Sequence, residues 1–206
     1  MKVILVNGGP HKNGCTNRAL AEVAGALEAQ QIKTEIIWLG AKPISGCLGC
    51  GACLKTGACF MNDTVNEFLL KAPEADGFVF GSPVHFASAS GAITSFMDRA
   101  FYGRGKLFQN KPAAAVVSCR RGGASASFDQ LNKYFTISNM PVVSSQYWNM
   151  VHGNTPEEVE QDLEGLQIMR TLGNNMAWLL KSIEAGRQAG IEPPEREAAV
   201  KTNFIR

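Results

Sequence analysis

Cys47, Cys50, Cys53 and Cys59 stand in the pattern C-x2-C-x2-C-x5-C. Six cysteines spread evenly over 206 residues would put about 0.4 in a window of 13, so four in one such window is not chance. Thiolates ligate soft metals and carry redox chemistry, and a reducing compartment gives a chain little reason to collect disulfides, so the cluster points to metal or redox use. A tetrahedral zinc site usually draws on two C-x2-C pairs that approach the ion from different sides. Here three cysteines share one tight run, which strains around a single ion. A [4Fe–4S] cube spreads its four ligand sites over a larger object that closely spaced thiolates wrap. The last gap of five residues, with Phe60 instead of Pro after Cys59, departs from the two-cluster ferredoxin run and lets all four thiolates serve one cluster. Gly46, Gly49, Gly51 and Gly57 permit close turns and offer N–H donors to sulfur. A cluster-free chain with reduced or disulfide-paired cysteines remains open, as does zinc.

Three further segments have the composition of anion- and ring-binding loops. Asn7–Asn17 (NGGPHKNGCTN) joins a strand to a helix, and its glycines let backbone N–H groups approach an anion that the helix N-terminus attracts. Thr16 adds a hydroxyl. The spacing matches neither G-x-G-x-x-G nor the P-loop motif, which disfavours a dinucleotide fold of the Rossmann type and a nucleotide triphosphatase. Ser82-Pro83-Val84-His85-Phe86 offers a stiff, partly aromatic surface. Ser118-Cys119-Arg120-Arg121-Gly122-Gly123 offers backbone donors. Cys15, at a helix start, is expected to have a lowered thiol pKa. Cys119, ending a strand, reads as a small core residue.

Positioning these segments on one edge requires parallel strands. Lys2–Val6 and Thr34–Leu39 read as the first two strands, and Gly77–Phe80 and Ala113–Ser118 as the third and fourth. Pro141–Val143 with the residues after it supplies the fifth. Their near-continuous apolar character marks a sheet covered on both faces. Helices are expected from Thr16, from an Asp63 cap to Leu70, over Ala89–Tyr102 and over Ser127–Thr136. A last helix starts at Thr155-Pro156-Glu157-Glu158, where a Thr cap, a first-turn Pro and a Glu three residues after the cap agree; it runs to about Glu184 with a kink near Gly173. Strands alternating with helices give an α/β, doubly wound, five-stranded parallel sheet with a cysteine-rich loop, residues 45–62, after strand two. One domain is expected over residues 1–188, followed by an extended tail over 189–206. In such sheets ligands sit at the carboxyl ends of the strands where the winding reverses.

Composition narrows the function classes. Twenty Lys+Arg against 18 Asp+Glu give a net charge of +2, without the basic excess of a dedicated nucleic-acid binder. The balance also lacks the marked acidity of a flavodoxin-type electron carrier. No apolar run nears the roughly 18 residues of a membrane span, and the start lacks a signal-peptide pattern, so the chain is expected to be cytoplasmic.

The GGPHKNGCT, GSPVHF and SCRRGG loops, with the segment ITSFMDRAF (Ile93–Phe101), resemble the flavodoxin-like NAD(P)H-dependent FMN reductase family over roughly residues 1–150. The compact cysteine motif after strand two further resembles the iron–sulfur flavoprotein branch. The resemblance implies strand order 2-1-3-4-5 and noncovalent FMN. It puts Gly9, His11, Cys15, Thr16 and Asn17 at the phosphate, Pro83, Val84, His85 and Phe86 beside the isoalloxazine, and Ser118, Gly122 and Gly123 at its polar edge. Family members commonly carry Ser, Arg, and Asn or Ser at the positions of Gly9, His11 and Cys15, so this chain has fewer phosphate donors. Lys12 reads as a solvated loop charge. The branch implies a [4Fe–4S] cluster on Cys47, Cys50, Cys53 and Cys59, a ferredoxin-type or NAD(P)H donor, and a homodimer or homotetramer. A cluster-free FMN or quinone reductase and a non-enzymatic electron carrier are the alternatives. Arg120 and Arg121 guide nicotinamide phosphates or an acidic carrier, or are simply solvated; Gln146–Gly153 lines the flavin pocket or a subunit interface, or only packs. No catalytic side chain is assigned, because redox chemistry belongs to the flavin itself.

Overall fold

Strand β1 (Lys2–Asn7) is apolar on both faces because it lies inside the sheet, hydrogen-bonded in parallel to β2 (Lys33–Trp38) on one side and β3 (Gly77–His85) on the other. A two-residue strand, β4 (Ser88–Ala89), folds back antiparallel on the end of β3. The sheet continues in parallel through β5 (Ala113–Cys119) to β6 (Met150–His152), giving the order β2-β1-β3-β5-β6. Without the short β4 this is the expected order 2-1-3-4-5. These positions come from a computed structural model that describes residues 1–204; Ile205 and Arg206, the end of the expected tail, lie outside the described residues.

The fifth parallel strand is not where the sequence puts it. Val142 makes only an isolated parallel bridge to Ala113, and the ladder resumes at Met150. Between them the chain leaves the sheet, and Asn149 fills the gap: its Nδ2 donates to the Ala115 carbonyl at 3.1 Å, and its own carbonyl accepts from Val117 N at 2.9 Å. A buried side-chain amide thus replaces a rung of backbone pairing.

Helices cover both faces. On one lie α1 (Cys15–Ala29), α6 (Pro156–Gln161) and α7 (Leu163–Gln188); on the other lie α3 (Thr64–Lys71), α4 (Gly91–Arg104) and α5 (Ala124–Ile137). Strand alternation divides the core accordingly. Val3 and Leu5 join an aliphatic layer with Leu20, Val23, Leu172 and Met176, while Ile4 and Val6 join a phenylalanine-rich layer. In that second layer Phe68 packs edge-on against Phe96 at 5.0 Å and Phe101 stacks on Phe108 at 4.5 Å, facing the small Ala113 and Ala115 of β5.

The last helix breaks at Asp162 instead of kinking at Gly173. Asp162 leaves helical geometry at ψ 74° and its carboxylate accepts from Gly165 N, starting α7 afresh. Gly173 sits in unbroken helix at a close crossing: a Cβ there would lie 2.6 Å from Ala26 Cβ and 2.8 Å from the Val23 carbonyl. A short helix, α2 (Ala52–Thr56), also forms inside the cysteine loop, where none was expected. Residues 189–204 carry no helix or strand and are exposed. No helix among the described residues is long and apolar enough to cross a membrane.

Candidate functional site

The winding reverses between β1 and β3, so the loops that follow them flank the crevice of the sheet. The loop after β1 is fixed from several sides. Gly8 N donates to the Gly81 carbonyl (2.9 Å), Ser90 Oγ to the Gly8 carbonyl (3.0 Å) and Trp38 Nε1 to the Gly9 carbonyl (2.9 Å). The buried Asn7 side chain turns back on the loop: Oδ1 accepts from Gly9 N at 2.9 Å, and Nδ2 donates to the Lys12 carbonyl at 3.2 Å. The Gly9 amide is thereby occupied within the protein. Anion-binding capacity falls instead on the start of α1, which has no side-chain cap and no acidic residue in its first turn, so its amide dipoles are not neutralised there.

Thr16 and Ser118 meet across the crevice, Oγ1 to Oγ at 2.8 Å, both buried. Asn17 Oδ1 lies 3.5 Å from Asn7 Nδ2, and His11 and Lys12 are exposed. The Cys15 thiol does not follow its helix-start expectation. Burial pushes its pKa up and outweighs the lowering by its backbone hydrogen bond, with Glu158 and Glu157 adding to the rise. Cys119 is buried and its thiol is likewise pushed up, mainly by burial and then by Asp162, as suits a core residue.

Pro83, Val84 and His85 close β3, and Phe86-Ala87 turn the chain into β4 with both residues at positive φ (51° and 60°). Such a two-residue turn normally takes Asn-Gly, so the hairpin holds Phe86 in a strained conformation and fully exposed. Gly123, at φ 93°, packs under this hairpin; a Cβ there would lie 2.5 Å from Ala87 Cα and 2.9 Å from Val84 Cγ1. Because hairpin and third loop meet, the open space divides in two. A cleft of about 530 Å³ is lined by Gly8, Gly9, Pro10, residues 40–44 and His85. Another of about 440 Å³ is lined by Arg121–Ser125, Tyr147, Trp148, His152 and Asp162. Of the expected site residues, Gly9 and His85 line the first cleft and Gly122 and Gly123 the second, while His11, Cys15, Thr16, Asn17, Pro83, Val84, Phe86 and Ser118 line neither.

The four cysteines, all unpaired, line one small cavity with Leu48, Phe60, Met61, Arg99 and Tyr102. The loop carrying them is anchored by α3 and α4. Asn66 brackets Cys59, accepting from its N–H at 3.0 Å and donating to its carbonyl at 2.8 Å. Arg104 donates to the Gly57 carbonyl at 2.6 Å, and Gly103 lies against Cys53, where a Cβ would come within 3.3 Å of sulfur. Asp63 caps α3, as expected, and also binds Arg99 through both oxygens at 2.6 and 2.9 Å. Burial works against the Arg99 charge, but hydrogen bonds with Asp63 and Cys59 outweigh it and hold the guanidinium above its usual pKa. Cys47 and Cys50 are exposed. The enclosed space is about 20 Å³, the scale of one water molecule. No three His, Cys, Asp or Glu side chains among the described residues are arranged to hold a single metal ion. In chemistry, four thiols beside a cation fit an anionic thiolate-held centre; in size, the loop has to open outward to admit one.

Arg99, Asn7, Asn66 and Ser90 carry no obvious signal in the sequence. Arg99 interrupts the buried stripe of α4 made by Phe96, Met97, Ala100 and Phe101, a polar break that marks such residues when a partner is sought.

A doubly wound parallel sheet with glycine loops at its switch point is the frame of a flavodoxin-like protein. Solved structures agree on that fold: RosB, with bound 8-demethyl-8-formylriboflavin-5'-phosphate, superposes with a TM-score of 0.69 at 17% identity, covering 99% of this chain and 92% of that one. A flavodoxin from the domain Archaea gives 0.60 at 17% identity, covering 88% and 99%. An iron-sulfur flavoprotein of Methanocaldococcus jannaschii is 35% identical over 192 residues, 89% of this chain and 100% of the relative. A second from the same organism is 28% identical, covering 88% and 98%. Residues 1–155 match the family described as NADPH-dependent FMN reductase. The chain belongs to that family, in its iron–sulfur flavoprotein branch, and is a flavin-dependent oxidoreductase.

Proposed function

We propose that the protein passes electrons between a donor, ferredoxin-type or NAD(P)H, and an acceptor through FMN, with a [4Fe–4S] cluster held by Cys47, Cys50, Cys53 and Cys59. The observation that carries this reading is that all four thiols line one cavity against α4, the helix whose cap, Ser90, also holds the phosphate loop through Gly8. One rigid element thus serves both sites. When bound, the cluster supplies one-electron transfer and the flavin both one- and two-electron chemistry.

The protein's own part is to bind and orient. Under this reading the amides of Cys15, Thr16 and Asn17 face the FMN phosphate, helped by His11, and Gly9 shapes the loop. The hairpin Pro83-Val84-His85-Phe86 supports the ring, and Ser118, Gly122 and Gly123 meet its polar edge. Arg121, Tyr147 and Trp148 lie on the cleft beside Gly122 and Gly123, which suits the phosphates and planar head of a nicotinamide. The flavin-binding unit then spans residues 1–188, with the tail outside it, in a cytoplasmic homodimer or homotetramer.

Anaerobic purification with iron, sulfide and flavin analysis tests the proposal. About four irons per chain with broad absorption near 400 nm is expected, and Cys50→Ala should lose the iron while retaining FMN. Iron well below that under anaerobic conditions sinks the cluster; absence of flavin, with none bound on titration, sinks the FMN site. The narrowness of the cysteine cavity favours a second reading, a cluster-free NAD(P)H-dependent FMN or quinone reductase, which the same iron analysis separates.

A further inference from the structure

Among the described residues Arg99 is the one charged side chain lining the cysteine cavity. Its side chain is only 1% exposed. Four of its contacts are structural: the fork to Asp63, and bonds to the Met61 and Ser45 carbonyls at 2.9 and 3.4 Å. These carbonyls flank the cysteine segment, so Arg99 ties its two ends together. The fifth donor, Nε–H, is buried and meets no protein nitrogen or oxygen, while the Cys59 thiol lies close enough to help hold the guanidinium charged. Cys59 is one of the four thiols of the cavity, so the guanidinium already bears on a sulfur of the site. Asp63 is one-third exposed and does not line the cavity, whereas the Arg99 guanidinium does.

We propose that Arg99 is a positioning residue for the redox centre, stabilising the more electron-rich state of the thiolate-held group through its buried charge beside Cys59, and so raising the reduction potential. The inference rests on the cluster reading above. The step it biases is uptake of one electron from a low-potential one-electron donor, with no bond made or broken and no proton taken up.

The test uses the full chain purified anaerobically, with iron, sulfide and FMN measured first, then a dithionite titration followed by electron paramagnetic resonance. At a fixed potential Arg99→Gln should lower the reduced-to-oxidised ratio at least tenfold, which is about 59 mV for a one-electron couple. Arg99→Lys, which keeps the charge, should recover most of that loss. Asp63→Asn, which retains a capping oxygen for α3 but removes the counter-charge, should shift the ratio the other way. An unmoved ratio in iron-replete Arg99→Gln overturns the inference, as does an equal shift in the Gln and Lys variants. If Arg99→Gln keeps FMN but not iron, Asp63→Asn decides, and an unmoved ratio there overturns it. Wild-type protein without iron overturns the cluster reading itself, a failure visible before any variant is titrated.

Discussion

Thr16 and Ser118 lie 102 residues apart in the chain yet share a hydrogen bond in the floor of the crevice. Each belongs to a loop whose glycines and position after a strand made it legible in the sequence, because loop chemistry at a sheet edge is a local pattern. Their mutual contact was not legible, since nothing in either segment names the other. The same holds for Asn7, which consumes the Gly9 amide, and for Asn66 and Arg99, whose partners come from segments with no pattern of their own. The cysteines were legible because ligand spacing is written in the chain itself. Thr16→Val should leave the Ser118 hydroxyl buried and unpaired, costing about 1–2 kcal/mol of stability. Urea unfolding of the flavin-free protein reads that cost, and FMN titration should show weaker binding; an unchanged midpoint would mean that water or backbone re-pairs Ser118.

At the scale of elements, the signals that held were those with several local causes in agreement. Thr155 caps α6, accepting from Glu158 N, with Pro156 in the first turn. The Asp63 cap of α3, read from one residue alone, is also present, its side chain accepting from Val65 N. The signals that failed depended on tertiary neighbours. The glycine at 173 reads as a helix breaker, but its missing side chain instead admits α1, and α7 stays continuous from Leu163 to Gln188. The real break, at Asp162, follows from a carboxylate that caps α7 while accepting from His152 N at 2.7 Å, tying the helix start to β6. The fifth strand was displaced because Asn149 satisfies the sheet edge with a side chain, which periodicity does not register. Gly173→Ala makes the crossing testable. Alanine gains about 0.5–1 kcal/mol of helix propensity, yet overpacking against a backbone carbonyl costs about 1–3 kcal/mol. The variant should therefore be less stable by thermal melting despite its better helix former; a raised midpoint would show that α1 and α7 part without cost.

Two carboxylates tie elements together across the molecule, Glu22 joining two helices of one face and Glu35 joining the sheet to a helix of the other. Glu22 on α1 receives Arg18 at 2.8 Å and Arg170 of α7. Burial raises its pKa, but the bonds from Arg170 and Arg18 outweigh burial, and the net shift is downward. Glu35 on β2 is held low first by Lys71 of α3 and then by Lys2 of β1, 2.9 Å away. Both groups ionise more readily folded than unfolded, so in acid the unfolded chain binds protons first and stability rises with pH across that window. Their contribution is full above the ordinary value of 4.5 and is lost as pH falls through the lowered folded values. Each clasp is partly solvated, which limits it to about 1 kcal/mol. Glu22→Gln and Glu35→Gln should each melt lower than wild type at pH 7, and the three curves should converge as pH falls through the lowered folded values, where the wild-type carboxyls become protonated as well. A gap that persists unchanged in acid would assign the loss to packing and remove the charge from the account. Alkaline pH acts in the opposite sense on Lys2, whose pKa is raised chiefly by its hydrogen bond to Glu35: its share persists through neutrality and disappears only as pH climbs past 10.5. The fold should therefore be held best across the neutral range, with acid opening both faces of the sheet together.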